Sequence, residues 1–133
     1  FIPMCAFERS EKGMKFNMED CLFCKIINGE VSSKKVYENN YVYAFYDIHP
    51  VAPVHVLIIP KIHIDNLNKV DSKNEVYIME CMKAVKEVAK ICNILDSGYR
   101  VISNCGEDGG QVVNHLHFHV LGGKKLGAKL IKD

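Results

Sequence analysis

Three histidines stand at alternate positions in the segment NHLHFHV: His115, His117 and His119, with Leu116, Phe118 and Val120 between and after them. Histidine titrates near neutrality, so a row of imidazoles can exchange protons, attack phosphorus or ligate a metal under physiological conditions. In an extended strand successive side chains point to opposite faces, which would put the three rings on one face, roughly 6.5–7 Å apart, and the apolar residues on the other. The apolar face must lie on a core. The histidine face is then left for chemistry.

Other candidates cluster around that row. GEDGGQ, residues 106–111, concentrates glycines where backbone N–H groups can approach an anion closely, and Asn104 and Gln111 add neutral side-chain donors. His55 breaks the apolar run VHVLIIP, either as a hydrogen-bonded core histidine or as a fourth member of the site. Cys21 and Cys24 have the C-x-x-C spacing that suits two metal-bound thiolates, or two free thiols at a helix start. The other four cysteines are scattered, so the set reads as thiols of a reducing compartment rather than as a disulfide scaffold.

Elements that could position these residues follow from composition and periodicity. The 133 residues, 48% of them hydrophobic, suffice for the core of one domain and little more. Seventeen basic against sixteen acidic residues leave a net charge of +1, which argues against a protein that holds nucleic acid through a broad basic face. No apolar run approaches the roughly 20 residues of a membrane span, and the N-terminal stretch lacks the pattern of a secretory signal. A cytoplasmic protein with neither membrane nor nucleic-acid partners is expected. Residues 1–17 lack periodicity and read as an upstream extension or expression remnant, with Met14 or Met18 as native starts and residues 18–133 as the domain.

Within that domain, EDCLFCKIINGE predicts a short helix capped by Asp20 and stopped by Gly29. Asn39-Asn40 between two runs rich in Val, Tyr and Phe predicts a hairpin. Residues 54–59 form a continuous branched apolar run, as in a buried strand. Apolar residues every three or four positions predict one long helix over 74–95. Two further strands are expected, over 99–104 and over HLHFHVL, on either side of the glycine-rich turn. Five strands and two helices make an α+β fold with a mainly antiparallel sheet.

The order of these pieces resembles the histidine triad (HIT) superfamily, specifically its nucleotide-binding HINT branch. The resemblance runs through FCKIINGEV, YAFYDIHPVAPVHVLIIPKIHI, GYRVISNCGEDGGQ and HLHFHVLGG, and so covers nearly all of residues 18–133. It implies hydrolysis of purine nucleoside phosphoramidates to the 5′-monophosphate through a covalent nucleotidyl-histidine. His117 matches the nucleophile, His119 the histidine beside the phosphate and leaving group, and His55 the supporting histidine on a neighbouring strand. Asn104, Gly110, Gln111 and Val112 correspond to phosphate contacts, although Val112 replaces a serine found in eukaryotic members. Asp47 matches the acid that accepts from the ribose hydroxyls, and Phe23, Ile26, Val31, Phe45 and Ile48 match the walls around the base. AMP, GMP and adenosine are the ligands implied, with loose purine preference.

The same resemblance implies structural zinc in bacterial relatives, with His63 and His115 joining Cys21 and Cys24, and His49 as a substitute ligand. It also implies a homodimer in which the long helix and the 99–104 strand pair across a two-fold axis, extending two five-stranded sheets into one of ten strands. The tryptophan that some members carry near the end is missing here, and the Lys124, Lys125, Lys129 and Lys132 tail reads as solvated. Three rival functions remain: a dinucleoside polyphosphate hydrolase of the same superfamily, a non-catalytic nucleotide-binding scaffold, and a purely metal-binding module.

Overall fold

The computed structural model describes residues 20–128, so the extension at 1–17 and Lys129 and Lys132 lie outside the described residues. Strands β1 (Lys35–Glu38) and β2 (Val42–Tyr46) form the expected hairpin. Its turn is held by the Asn39 side-chain oxygen, which accepts from the N–H groups of Tyr41 and Val42 at 2.8 and 3.0 Å. This is the local pairing that makes asparagine a turn residue. Strand β3 (Val54–Pro60) pairs with β2 on one side and with β5 (Phe118–Gly122) on the other, and β4 (Tyr99–Ile102) pairs with β5. All four pairings are antiparallel and the sheet order is β1-β2-β3-β5-β4. A short helix α1 (Leu22–Ile27) and a long helix α2 (Glu75–Ile91) complete the expected α+β architecture. A 3-10 turn at Leu67–Lys69 was not expected.

The two helices cover opposite faces of the sheet. Under α2 lies the larger core, where Val42, Ala44, Val56, Ile58, Leu116, Phe118 and Val120 meet Cys81, Ala84, Val85, Val88 and Ala89. Under α1 a smaller core joins Phe23, Cys24 and Ile26 to Phe45, Leu57 and Ile59. Because β3 is covered on both faces, its sequence is a continuous apolar run rather than an alternation. None of the described helices is long and apolar enough to cross a membrane. The five described cysteines form no disulfide.

Several boundaries differ from expectation. The N-cap of α1 is Cys21, not Asp20: its Sγ accepts from the Cys24 N–H at 3.3 Å. Helix α2 stops at Ile91 rather than at 95, because Asn93 takes a left-handed backbone (φ 60°) and turns Ile94 back into the core. Strand β4 ends at Ile102, short of 104. The strand expected over HLHFHVL begins only at Phe118, since backbone groups just before it are engaged elsewhere: the Leu116 N–H donates to the Ile64 carbonyl, and the His115 carbonyl accepts from the His117 ring.

Candidate functional site

Antiparallel pairing of β3 with β5 sets Leu57 opposite His119 and His55 opposite Leu121. His55 and His119 are therefore diagonal partners on the face away from α2, and their Nε2 and Nδ1 atoms lie 2.9 Å apart. Which nitrogen carries the proton follows from the neighbours. The Val51 backbone N–H donates to His55 Nδ1 at 3.1 Å, so neutral His55 holds its proton on Nε2. That proton is donated to His119 Nδ1, and His119 in turn carries its proton on Nε2. Asp47 Oδ2 stands 3.3 Å from His55 Nε2, while Asp47 Oδ1 accepts from the His49 N–H at 2.7 Å.

His117 is held in the opposite tautomer. Its Nδ1 lies 2.7 Å from the His115 carbonyl oxygen, which can only accept, so Nδ1 carries the proton and Nε2 is left with a lone pair. Ser103 Oγ donates to the His117 carbonyl at 3.0 Å, and the Phe23 ring meets the imidazole edge to face at 5.1 Å. Burial pushes the pKa of His117 down, opposed by the His115 carbonyl and Asp47. Burial also lowers His55, against the charge of Asp47. His119 is pushed down to about 4 by burial and then by the like charges of His117 and His55. His119 is therefore neutral at pH 7. Hydrogen bonding agrees with this, because an added proton would need a lone pair already engaged at His55 Nδ1 or His119 Nδ1.

These rings face a cavity of about 470 Å³ between α1, the sheet and the loops after β2 and β4. The structure brings His55, His117, His119, Asp47, Asn104, Gly110 and Val112 to its wall, together with Phe23, Ile26, Val31, Phe45 and Ile48. Val112 and Ile48 stand at the rim, 93% and 84% exposed, and form an apolar lip. Gly110 adopts φ +79°, which favours glycine, and at Gly109 a Cβ would run into the Cys105 carbonyl. Asn104 Nδ2 donates to the Gly109 carbonyl at 2.7 Å and closes this turn.

Gln111 is not among the lining residues. Its amide hydrogens go to the carbonyls of Asp65 and Val113 at 2.8 and 3.0 Å, and its oxygen accepts from the Gly106 N–H at 2.9 Å. The side chain thus forms a brace that ties the glycine-rich turn to the segment after β3.

A second cluster lies behind the site. Nitrogen and sulfur atoms of Cys21, Cys24, His63 and His115 all fall within 4.8 Å of one another. Cys21 Sγ to His115 Nδ1 is 3.3 Å, Cys24 Sγ to His63 Nδ1 is 3.3 Å and Cys24 Sγ to His115 Nδ1 is 3.6 Å. A tetrahedral metal with ordinary Zn–S and Zn–N bonds would set these edges at about 3.6 Å. Both imidazoles turn Nδ1 towards the thiols and Nε2 towards an oxygen, the Asp65 carboxylate at 2.9 Å for His63 and the Pro60 carbonyl at 3.1 Å for His115. That fixes the tautomer a metal ligand needs. Hydrogen bonding to Cys24 and burial hold Cys21 up as a thiol, a state that a bound cation would reverse. The donor set therefore fits a closed metal site. His49 does not belong to it, since it lines the nucleotide-sized cavity instead. Asp47, His55 and His119 also come within ligand distance of one another, but the proton on His55 Nε2 makes them a hydrogen-bonded chain.

Sequence reasoning missed several contributors. Asp65 could have been found from its place two residues after His63, whereas the Val51 amide and the Pro60 carbonyl are backbone groups with no side-chain signal. Leu22, Leu57, Val51 and Val113 also line the cavity.

Comparison with known proteins agrees with this geometry. A profile of the HIT domain matches residues 28–126. The purine nucleoside phosphoramidase of Escherichia coli is 42% identical over 112 residues, covering 84% of this chain and 94% of that one. A HIT family hydrolase from Clostridium thermocellum superposes with TM-score 0.83 at 48% identity, covering 85% of this chain and 98% of that one. A histidine triad protein from Clostridium difficile gives TM-score 0.80 at 48% identity, over 83% and 96% of the two chains. With the profile spanning most of the sequence and these identities holding over nearly the full length of each relative, the chain belongs to the HIT domain family.

Proposed function

We propose that this HIT protein is a hydrolase of purine nucleoside phosphoramidates, releasing the nucleoside 5′-monophosphate through a nucleotidyl intermediate on His117. The observation that carries the reading is the 2.7 Å hydrogen bond from His117 Nδ1 to the His115 carbonyl, which leaves Nε2 unprotonated in a cavity-lining ring. In the first step that lone pair attacks the α-phosphorus, and the bond to the leaving amine breaks with its electron pair on nitrogen. An amine must leave protonated. His119 Nε2–H, in the wall of the same cavity, supplies that proton, and His55 stands behind it to replace it.

Such a relay needs one extra proton on the pair. An anionic phosphoryl group favours that uptake, because it opposes the repulsion among His55, His117 and His119. The added proton belongs on His55 Nδ1, at the expense of the Val51 hydrogen bond, with Asp47 facing the resulting cation. His119 then passes Nε2–H to the amine and takes the His55 Nε2 proton on Nδ1. In the second step water attacks phosphorus and gives its proton to His119 Nε2, the bond from phosphorus to His117 Nε2 breaks with its electron pair returning to that nitrogen, and the relay runs back. The Asp47 carboxylate serves the ribose hydroxyls, and Phe23, Ile26, Val31 and Phe45 flank the base.

Cys21, Cys24, His63 and His115 are proposed as zinc ligands. With four protein ligands such an ion would be structural, joining α1 to the approach of β5 and leaving no position for substrate. A homodimer is also proposed. Strand β4 is a sheet edge, its Tyr99 and Val101 are exposed on the α2 face, and α2 packs mainly over β1, β2 and β3, so that this apolar surface is left uncovered.

The test is turnover of an adenosine phosphoramidate by the purified protein. AMP release by the wild type is expected, with His117→Ala slower by at least about 10³-fold while AMP still binds. Substantial turnover by the variant would remove His117 from the chemistry.

A further inference from the structure

The wall of the cavity far from the histidines is apolar except where the chain leaves Val31 and enters β1. There Ser32 and Ser33 join the lining. Ser33 is not isolated: its Oγ lies 2.7 Å from the hydroxyl of Tyr43, on β2. Tyr43 packs against Phe45, ring centroids 5.8 Å apart, and both belong to the smaller core under α1. Either hydroxyl can donate in this pair, and the phenol, the stronger acid, is the favoured donor. With the phenol donating, Ser33 keeps its own O–H and one lone pair, on a hydroxyl held in place by the ring behind it.

Sheet order gives the reach. From β5, which carries His119, across β3 and β2 to the β1 edge is three strand spacings, roughly 14 Å. A nucleotide with its phosphorus at His117 and its ribose at Asp47, midway across the sheet, lays its base over Phe45 and Val31 and points the far ring edge at Ser33. We propose that the Ser33–Tyr43 hydroxyl pair reads the polar edge of a purine base, which makes Ser33 a specificity-determining residue. This rests on the reading of the cavity as a purine nucleotide site. A hydroxyl that can donate or accept matches the 6-amino group of adenine as well as the 6-carbonyl of guanine, so both purines are accepted. A pyrimidine, one ring shorter, does not span the distance.

Calorimetric binding of AMP and of purine riboside 5′-monophosphate, which lacks the 6-amino group, tests the assignment. Ser33→Ala is expected to weaken AMP about five-fold, the size of one neutral hydrogen bond, and to leave purine riboside 5′-monophosphate within about two-fold. Ser33→Thr keeps a hydroxyl and is expected to hold AMP affinity near wild type. Equal loss for both ligands would mean that Ser33 only packs, and unchanged AMP affinity would mean that it is not in contact; either overturns the proposal. If wild type binds AMP but releases none from the phosphoramidate, the hydrolase reading fails while the two-ligand contrast still decides Ser33. If wild type binds neither ligand, both fall.

Discussion

His117 and His119 stand two residues apart yet are held in opposite tautomers, one with a lone pair on Nε2 and the other with a proton there. Neither state is set by the histidine itself; a backbone carbonyl decides the first, and the Val51 amide, acting through His55, decides the second. The pH dependence of activity follows from the same environment. Burial lowers the pKa of His117, so the proposed nucleophile stays neutral below the ordinary histidine value near 6.5. The acid limb of kcat/KM is therefore expected below pH 6.5, and a limb at or above that value in a steady-state pH profile would contradict the buried environment. A second expectation concerns Asp65. Losing the carboxylate that orients His63 in Asp65→Ala is expected to weaken zinc binding by about 10- to 100-fold in a chelator competition, with His117 untouched.

At the level of elements, the alternation of HLHFHVL made the two faces legible: Leu116, Phe118 and Val120 do enter the core under α2, and the three histidines lie away from it. What alternation could not reveal is that pairing begins only at Phe118, so that His115 and His117 sit on irregular backbone whose carbonyl and amide groups are turned to other partners. The bracing role of Gln111 was hidden for a related reason. An amide in a glycine-rich turn is equally suited to phosphate and to backbone carbonyls, and only the fold brings the Asp65 carbonyl within 2.8 Å. The cap of α1 shows the opposite case: Cys21 was noticed as a candidate metal ligand but not as a helix cap, and it caps the helix while standing in the Cys/His group that could hold a metal.

For the molecule as a whole, one sheet separates two cores, and the smaller one supports the cavity. His55, His117 and His119 are held neutral by this burial, and in the unfolded chain they would take up protons near pH 6.5. Their folded pKa values are depressed, so the unfolded state binds more protons below that pH, and they favour unfolding progressively as pH falls from about 6.5 towards 4. The larger face offers a separate test. If β4 and the open α2 face join two copies, Val101→Lys is expected to yield a monomer by light scattering. A wild-type monomer in the same measurement would dismiss the proposed assembly.

His115 belongs to two neighbourhoods at once. Its ring sits among the thiols, while its carbonyl steers the ring at 117. The backbone of one residue therefore links the Cys/His group to the cavity wall, so a displacement of the first ring has a direct route to the second.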